Sequence, residues 1–230
     1  MQKSFVLKVA RPDSAAFQYG GLSLACELIS AQIIQLLGLK SPSYAIVNIE
    51  QEFADSVPSR VHQLFNDNIG PQFGCEYLEE AVDFIPGRRL DDEDALSALE
   101  GVISFDAMIW NQDRTQLKPN LLVKANEFYL IDHSTVMPVG LILSGGEFLT
   151  EDQITNNCAY ATLYYKRRLY QALVEKWADE VTLGAIEQIA GFVPNEWITT
   201  RSRFNLMLKF LRERHTFSAQ IIENLKDLVH

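Results

Sequence analysis

The chain has 230 residues, 47% of them apolar, and its 30 acidic against 20 basic side chains give a formal charge of -10. That is enough apolar material for one large core or for two lobes packed across a cleft, and the carboxylate excess disfavours non-specific nucleic-acid binding, where Lys and Arg must replace condensed counterions. No run approaches the roughly 20 apolar residues of a membrane span, and the start, Met1 to Lys8, lacks the apolar core of a secretion signal. The expectation is a cytoplasmic protein that engages neither membrane nor nucleic acid. Cys26, Cys75 and Cys158 are odd in number and lack metal-ligand spacing, so they read as buried thiols without chemistry.

Phe5 to Val9 is a short β-rich run, ended by the breakers Arg11-Pro12-Asp13-Ser14, and strand alternation puts Lys8 on the face of Val6. From Leu22 to Leu37 apolar residues recur at helical spacing, with Glu27 inside the helix and Gly38 as its left-handed stop. Ser43 to Ile49 and Phe73 to Leu78 read as two further strands, with a helix around Val57 to Phe65 between them. These elements form a small α/β unit.

Beyond Pro86-Gly87 the pattern turns helical: Asp91 or Asp92 caps a helix carrying Leu96, Leu99, Ile103, Ala107 and Trp110, which stops at Asn111. A polar loop follows, then a hairpin made of Leu121-Leu122-Val123, a turn at Ala125-Asn126, and Phe128 to Ile131. From about Asp152 onward the sequence predicts three or four amphipathic helices, with Thr182 and Thr216 as N-caps, Gly191 as a stop, and Trp177 and Trp197 in the core. Lys166-Arg167-Arg168 reads as a solvated helix face.

The most specific segment is Phe105 to Thr115 with Pro119-Asn120-Leu121-Leu122 and Tyr129 to Ser134. Its order is a helix, an Asp in a loop, an Asn opening a hairpin and a second Asp closing it. Phosphoryl transfer from ATP needs a carboxylate near the attacking hydroxyl and oxygen ligands for Mg²⁺. Asp113, Asn120 and Asp132 supply that set, and a hairpin fixes two loop-end ligands on a rigid support. His133 and Asp106 read instead as structural groups, the second bracing the loop.

With these motifs the chain resembles the HipA-like kinase family, relatives of protein kinases and phosphatidylinositol kinases, in which a helix ends in N-x-D-R, N-L-L opens a hairpin and I-D-H closes it. The resemblance runs from about Val6 to Leu211 and includes Leu37-Gly38-Leu39-Lys40-Ser41-Pro42, similar to that family's L-G-L-x-x-P turn. It implies an α+β, protein-kinase-like two-lobed fold: a reduced N-terminal lobe over residues 1–80 and a mainly helical C-terminal lobe over 81–230. It also implies that Lys8 holds the ATP phosphates and pairs with Glu27. Asp113 is then the catalytic Asp, Asn120 and Asp132 are the metal ligands, and Glu76, Tyr77 and Leu78 belong to the hinge that meets adenine.

Two departures stand out. Asp113 and Asn120 are seven apart, against five in the protein-kinase pattern, which reads as a looped-out insertion. Seven residues precede Lys8, so the Gly-rich loop that covers the phosphates is not in front of it. The expectation is that the chain begins late, that a second copy or a partner chain completes the lobe, or that efficient catalysis is lost. Three readings follow: a serine/threonine kinase of a protein substrate, a nucleotide-binding or scaffolding pseudokinase, and a small-molecule phosphotransferase. Asn111-Gln112-Asp113, where the last group usually has H-x-D, disfavours the third.

Overall fold

A computed structural model describes residues 3–9, 21–137, 157–159, 162–163 and 172–218. The Arg11 to Ser14 breakers and Lys166-Arg167-Arg168 lie outside these residues. The chain forms β1 (Phe5–Lys8), α1 (Leu22–Leu36), β2 (Tyr44–Ile49), α2 (Gln51–Ser56), α3 (Ser59–Asn66), β3 (Gly70–Glu76) and β4 (Val82–Asp83). After these come α4 (Glu93–Ile109), β5 (Leu121–Lys124), β6 (Glu127–Leu130), α5 (Ala172–Glu180), α6 (Leu183–Gly191), a 3₁₀ turn (Asn195–Trp197) and α7 (Arg201–Thr216).

Two antiparallel sheets of three strands result, in the orders β1-β3-β2 and β4-β5-β6. In the first, Lys8 stands opposite Phe73, which in turn faces Ile46, so these three side chains share one face. That face carries Phe73 into the main core, with Tyr44 and Cys75 packed at its margin. One buried cluster continues from there through α1, α4, the β5-β6 hairpin and the C-terminal helices.

The turn after α1 shows why Gly38 follows the helix. The Gly38 N–H donates to Gln35 O and the Leu39 N–H to Ile34 O, which uses two of the carbonyls a helix end leaves open, and Gly38 takes φ +68° to do it. The Leu130 N–H then donates to Lys40 O at 2.8 Å, tying this turn to the hairpin. At the other end of α1, Gly21 lies against the Trp197 backbone, where an added Cβ would fall 2.6 Å from its Cα and O. The Trp197 indole N–H also donates to Pro71 O at 2.7 Å, so the 3₁₀ turn is held to both α1 and β3.

The sequence expectations hold with four corrections. The helix expected around Val57 to Phe65 is α3 and starts at Ser59, with a separate short helix, α2, before it that the sequence did not suggest; Val57 is extended before Pro58, where a proline ring disfavours helical backbone, and this parts the two. The strand expected over Phe73 to Leu78 ends at Glu76, leaving Tyr77 and Leu78 beyond the ladder. Strand β4, only two residues long, pairs with β5 and gave no alternation to read. Thr216 is the last residue of α7, its hydroxyl donating to Arg212 O, rather than the N-cap of a helix within the described residues. Asp92, not Asp91, caps α4 by accepting from the Asp94 N–H, and Thr182 caps α6 by accepting from the Ala185 N–H. Trp177 and Trp197 are core residues, and Cys26 and Cys158 are buried while Cys75 is partly so. Among the described residues, no helix is long and apolar enough to cross a membrane.

Candidate active site

Helix α4 ends at Ile109, two residues before Asn111, with its cap Trp110 taking the left-handed backbone (φ 56°) that normally favours glycine. The Asn111 N–H reaches back to Asp106 O at 2.8 Å, and the Trp110 ring stacks on Phe210 at 5.9 Å, so packing holds the bend. Asn111 then acts twice. Its amide donates to Asp106 Oδ1 at 2.8 Å, and its Oδ1 accepts from the Asp113 N–H at 3.0 Å, which fixes the start of the loop carrying Asp113.

The next residues make a tight turn, Thr115 N–H to Lys118 O at 2.9 Å and Lys118 N–H to Thr115 Oγ1 at 3.1 Å, with Leu117 at its solvent-facing tip. This is the expected looped-out insertion, and it returns the chain to Asn120 beside Asp113. The Asn120 amide donates to the Asp113 carboxylate and backbone oxygens, each at 3.3 Å, so its Oδ1 remains as an acceptor for a cation.

The β5-β6 hairpin closes through Ala125-Asn126, both at positive φ (50° and 63°), as the right-handed strand twist favours in a two-residue turn. At its open end the Ile131 N–H donates to Asn120 O at 3.1 Å. Asn120 and Asp132, just outside the two strands, both have left-handed backbone (φ 45° and 61°), a strain that side chains bear where surrounding contacts impose it.

A buried guanidinium supplies those contacts. Arg114 donates through Nε to both Asp106 carboxylate oxygens (3.1 and 2.9 Å), through Nη1 to Asn120 O, and through Nη2 to His133 Nε2 at 2.8 Å. Neither side chain of the Arg114–Asp106 pair has any exposure. Asp106 also accepts from Asn157 at 2.8 Å. Burial pushes its carboxyl up from the usual value, against the pull of Arg114 and the amides of Asn111 and Asn157. Asp106 is thus the loop brace the sequence suggested. Because Arg114 can only donate, His133 Nε2 accepts and the ring proton sits on Nδ1. Burial, with Arg114 and Lys8 nearby, holds this imidazole well below its ordinary pKa, so it is neutral.

Lys8, 124 residues before Asp132 in the chain, reaches the same place. Its ammonium contacts Glu27 and lies 2.7 Å from Asp132 Oδ1. Glu27 is 3% exposed on α1, far from an ordinary surface residue. Burial pushes the Glu27 carboxyl up, opposed by Lys8. For Lys8 burial acts downward, but Glu27 and Asp132 outweigh it and raise the ammonium above its usual value. Burial would also raise Asp132, yet Lys8 and Lys118 hold it at about 2, so it is a carboxylate.

The structure therefore brings five of the sequence candidates together: Lys8, Glu27, Asp113, Asn120 and Asp132. It adds one that the sequence reading passed over, Lys118, whose ammonium is 2.6 Å from Asp113 Oδ2 and 3.3 Å from Asp132 Oδ2. The signal for it was its place in Lys118-Pro119-Asn120, two residues before the hairpin ligand. Glu76, Tyr77 and Leu78 lie apart, at the end of β3. The Glu76 N–H is already given to Ser43 O and the Tyr77 N–H to Ser4 O, so those two backbone donors are committed to neighbouring segments.

The recess lined by Lys8, Glu27, Phe73, Cys75, Asp132 and His133 measures about 20 Å³, room for a water rather than a nucleobase. A larger cavity of about 550 Å³ lies between the end of α1, α4 and the hairpin turn, and none of the five residues lines it. Among the described residues no group of three or more His, Cys, Asp and Glu is placed to hold a metal ion. The donors at the hairpin are hard oxygens from one carboxylate and one amide, which suits Mg²⁺, an ion that takes one or two protein oxygens and completes its shell with phosphate and water.

The sequence matches no curated protein. A crystal structure of a Helicobacter pylori proinflammatory kinase, CtkA, shares the fold at a TM-score of 0.55 and 12% identity, with 98% of this chain and 86% of that one covered. The two-lobed, kinase-like architecture is thus present here. The HipA-like kinase family matches over residues 15–226, nearly the whole sequence. With the helix, loop and hairpin in the order its motifs require, this chain belongs to the HipA-like kinase family.

Proposed function

We propose that this kinase-family chain transfers the γ-phosphate of ATP to a serine or threonine hydroxyl of a protein. The observation that carries the reading is the convergence of Lys8, Glu27, Asp113, Asn120 and Asp132 from four separate segments. Lys8, steadied by Glu27, orients the phosphates. Asn120 Oδ1 and Asp132 hold Mg²⁺, which would offset charge on the phosphoryl oxygens. Asp113, with its side chain one-third exposed, accepts or orients the hydroxyl, and its position on an open loop supports an acceptor carried by a large substrate. Residues 1–80 serve as the nucleotide-binding lobe and 81–230 as the catalytic one.

The narrow recess beside Lys8 favours a second reading, a nucleotide-binding or scaffolding pseudokinase. Among the described residues no strand pairs with the outer edge of β1, and with Phe5 and Val6 exposed this supports completion of the first sheet by a second copy or another chain. One experiment separates the first two readings: calorimetry of Mg-ATP binding, with phosphate transfer to co-incubated proteins followed by mass spectrometry. Asp113→Asn should abolish transfer and leave affinity nearly unchanged, since a positioning base acts mainly in the transition state. Binding with no transfer by the wild type supports the pseudokinase, and no Mg²⁺-dependent binding at all overturns both.

A further inference from the structure

The ammonium of Lys118 stands where two carboxylates meet, one from the loop and one from the end of the hairpin. It lies 2.6 Å from Asp113 Oδ2 and 3.3 Å from Asp132 Oδ2. Asp132 Oδ1 is already taken by Lys8 at 2.7 Å, so Oδ2 is the oxygen that an incoming cation must use. Asp113 Oδ2 is shared in turn with the Asn120 amide. Lys118 therefore touches both Asp132 Oδ2 and the Asp113 oxygen that the Asn120 amide shares.

We propose that Lys118 is a built-in competitor for the divalent cation, an ammonium on a solvent-exposed stem that neutralises Asp113 and Asp132 and must swing away when the metal binds. The inference rests on the reading that Asn120 and Asp132 are the metal ligands. An ammonium and a divalent ion cannot share one carboxylate oxygen at hydrogen-bonding distance without strong mutual repulsion. Lys118 is able to leave: its side chain is 54% exposed, and it sits at the end of the Thr115–Lys118 turn. Lys8, at 23% exposure and held by Glu27 as well, is not.

The consequence is a site whose two acids are bridged by an ammonium without metal and which admits metal only at the expense of an internal ion pair. Nucleotide lowers that expense, because the phosphates bring ligands of their own and give the displaced ammonium an alternative partner.

Mn²⁺ binding followed by electron paramagnetic resonance tests this, with and without a non-hydrolysable ATP analogue. Lys118→Gln removes the charge and keeps a polar side chain, and should bind Mn²⁺ about tenfold tighter than wild type without nucleotide, with a smaller gain when the analogue is present. Lys118→Arg should stay near wild type. Unchanged or weaker Mn²⁺ binding by Lys118→Gln overturns the proposal. Asp132→Asn and Asn120→Ala separate this from the reading beneath it. If both bind Mn²⁺ as wild type does, the ligand assignment is wrong; if both lose binding and Lys118→Gln gains none, the ligands stand and Lys118 is only a surface ion pair.

Discussion

Replacing Arg114 by Met tests whether the site is organised from below by a buried charge. Methionine keeps most of the stem volume but removes the guanidinium, and with it the partner of Asp106, a carboxylate with no exposed surface. Breaking a buried pair from one side costs about 3–5 kcal/mol, because the remaining charge is left uncompensated. The amides of Asn111 and Asn157 soften this, while Asn120 O and His133 Nε2 lose a donor, so the loss should stay within that range. Against a total stability of about 5–15 kcal/mol, this is a large fraction. Urea unfolding followed by fluorescence of the buried Trp110, Trp177 and Trp197 gives the number directly. Asp106→Leu combined with Arg114→Met should lose clearly less than the sum of the two single changes, since neither variant residue then strands a charge. A single-variant loss under about 1 kcal/mol, or additivity within about 0.5 kcal/mol, would refute the view that this pair clamps α4 to the hairpin.

Four further outcomes follow from the same geometry. Lys8→Met should weaken Mg-ATP binding at least tenfold by calorimetry, while Lys3→Met, which removes only an exposed pair with Glu76, should not. Gly21→Ala places a Cβ 2.6 Å from the Trp197 backbone and should lower stability by about 1–3 kcal/mol in thermal melts, whereas Gly191→Ala, with open space around it, should be neutral or better. Asp132, held at about 2 against an ordinary 3.8, stabilises the fold fully above pH 4 and loses that contribution, about 2 kcal/mol, as pH falls through 2; Asp132→Asn should flatten that part of the acid titration. Burial pushes the Cys158 thiol up to about 12 from 9.0, and Cys26 further still, so neither should react with an alkylating reagent at pH 8 before unfolding, and stability should decline as pH rises from 9 toward 12. Fast labelling of either thiol in the native protein would contradict its burial.

The sequence by itself determined the elements and the order of the site. Helical spacing from Leu22 and from Asp92, the Gly38 stop and the Ala125-Asn126 turn are local signals, set by backbone sterics and by which face must be buried, and the structure follows them closely. The same local reading placed Asp113, Asn120 and Asp132 at loop and hairpin ends, because such ends are where polar ligands can be held without breaking a ladder. Tertiary structure decided which of these groups meet. By spacing alone Glu27 was an ordinary polar helix residue, paired with Lys8 only through the family resemblance, and it is α1 that turns it inward; Lys118 looked like part of a solvated loop until the Thr115–Lys118 turn folded it over two acids. Arg114 had a nearer acid in Asp113, but the left-handed bend at Trp110 aims it at Asp106 instead. Charge pairing depends on distance through space, and no spacing along the chain carries that distance across 124 residues from Lys8 to Asp132.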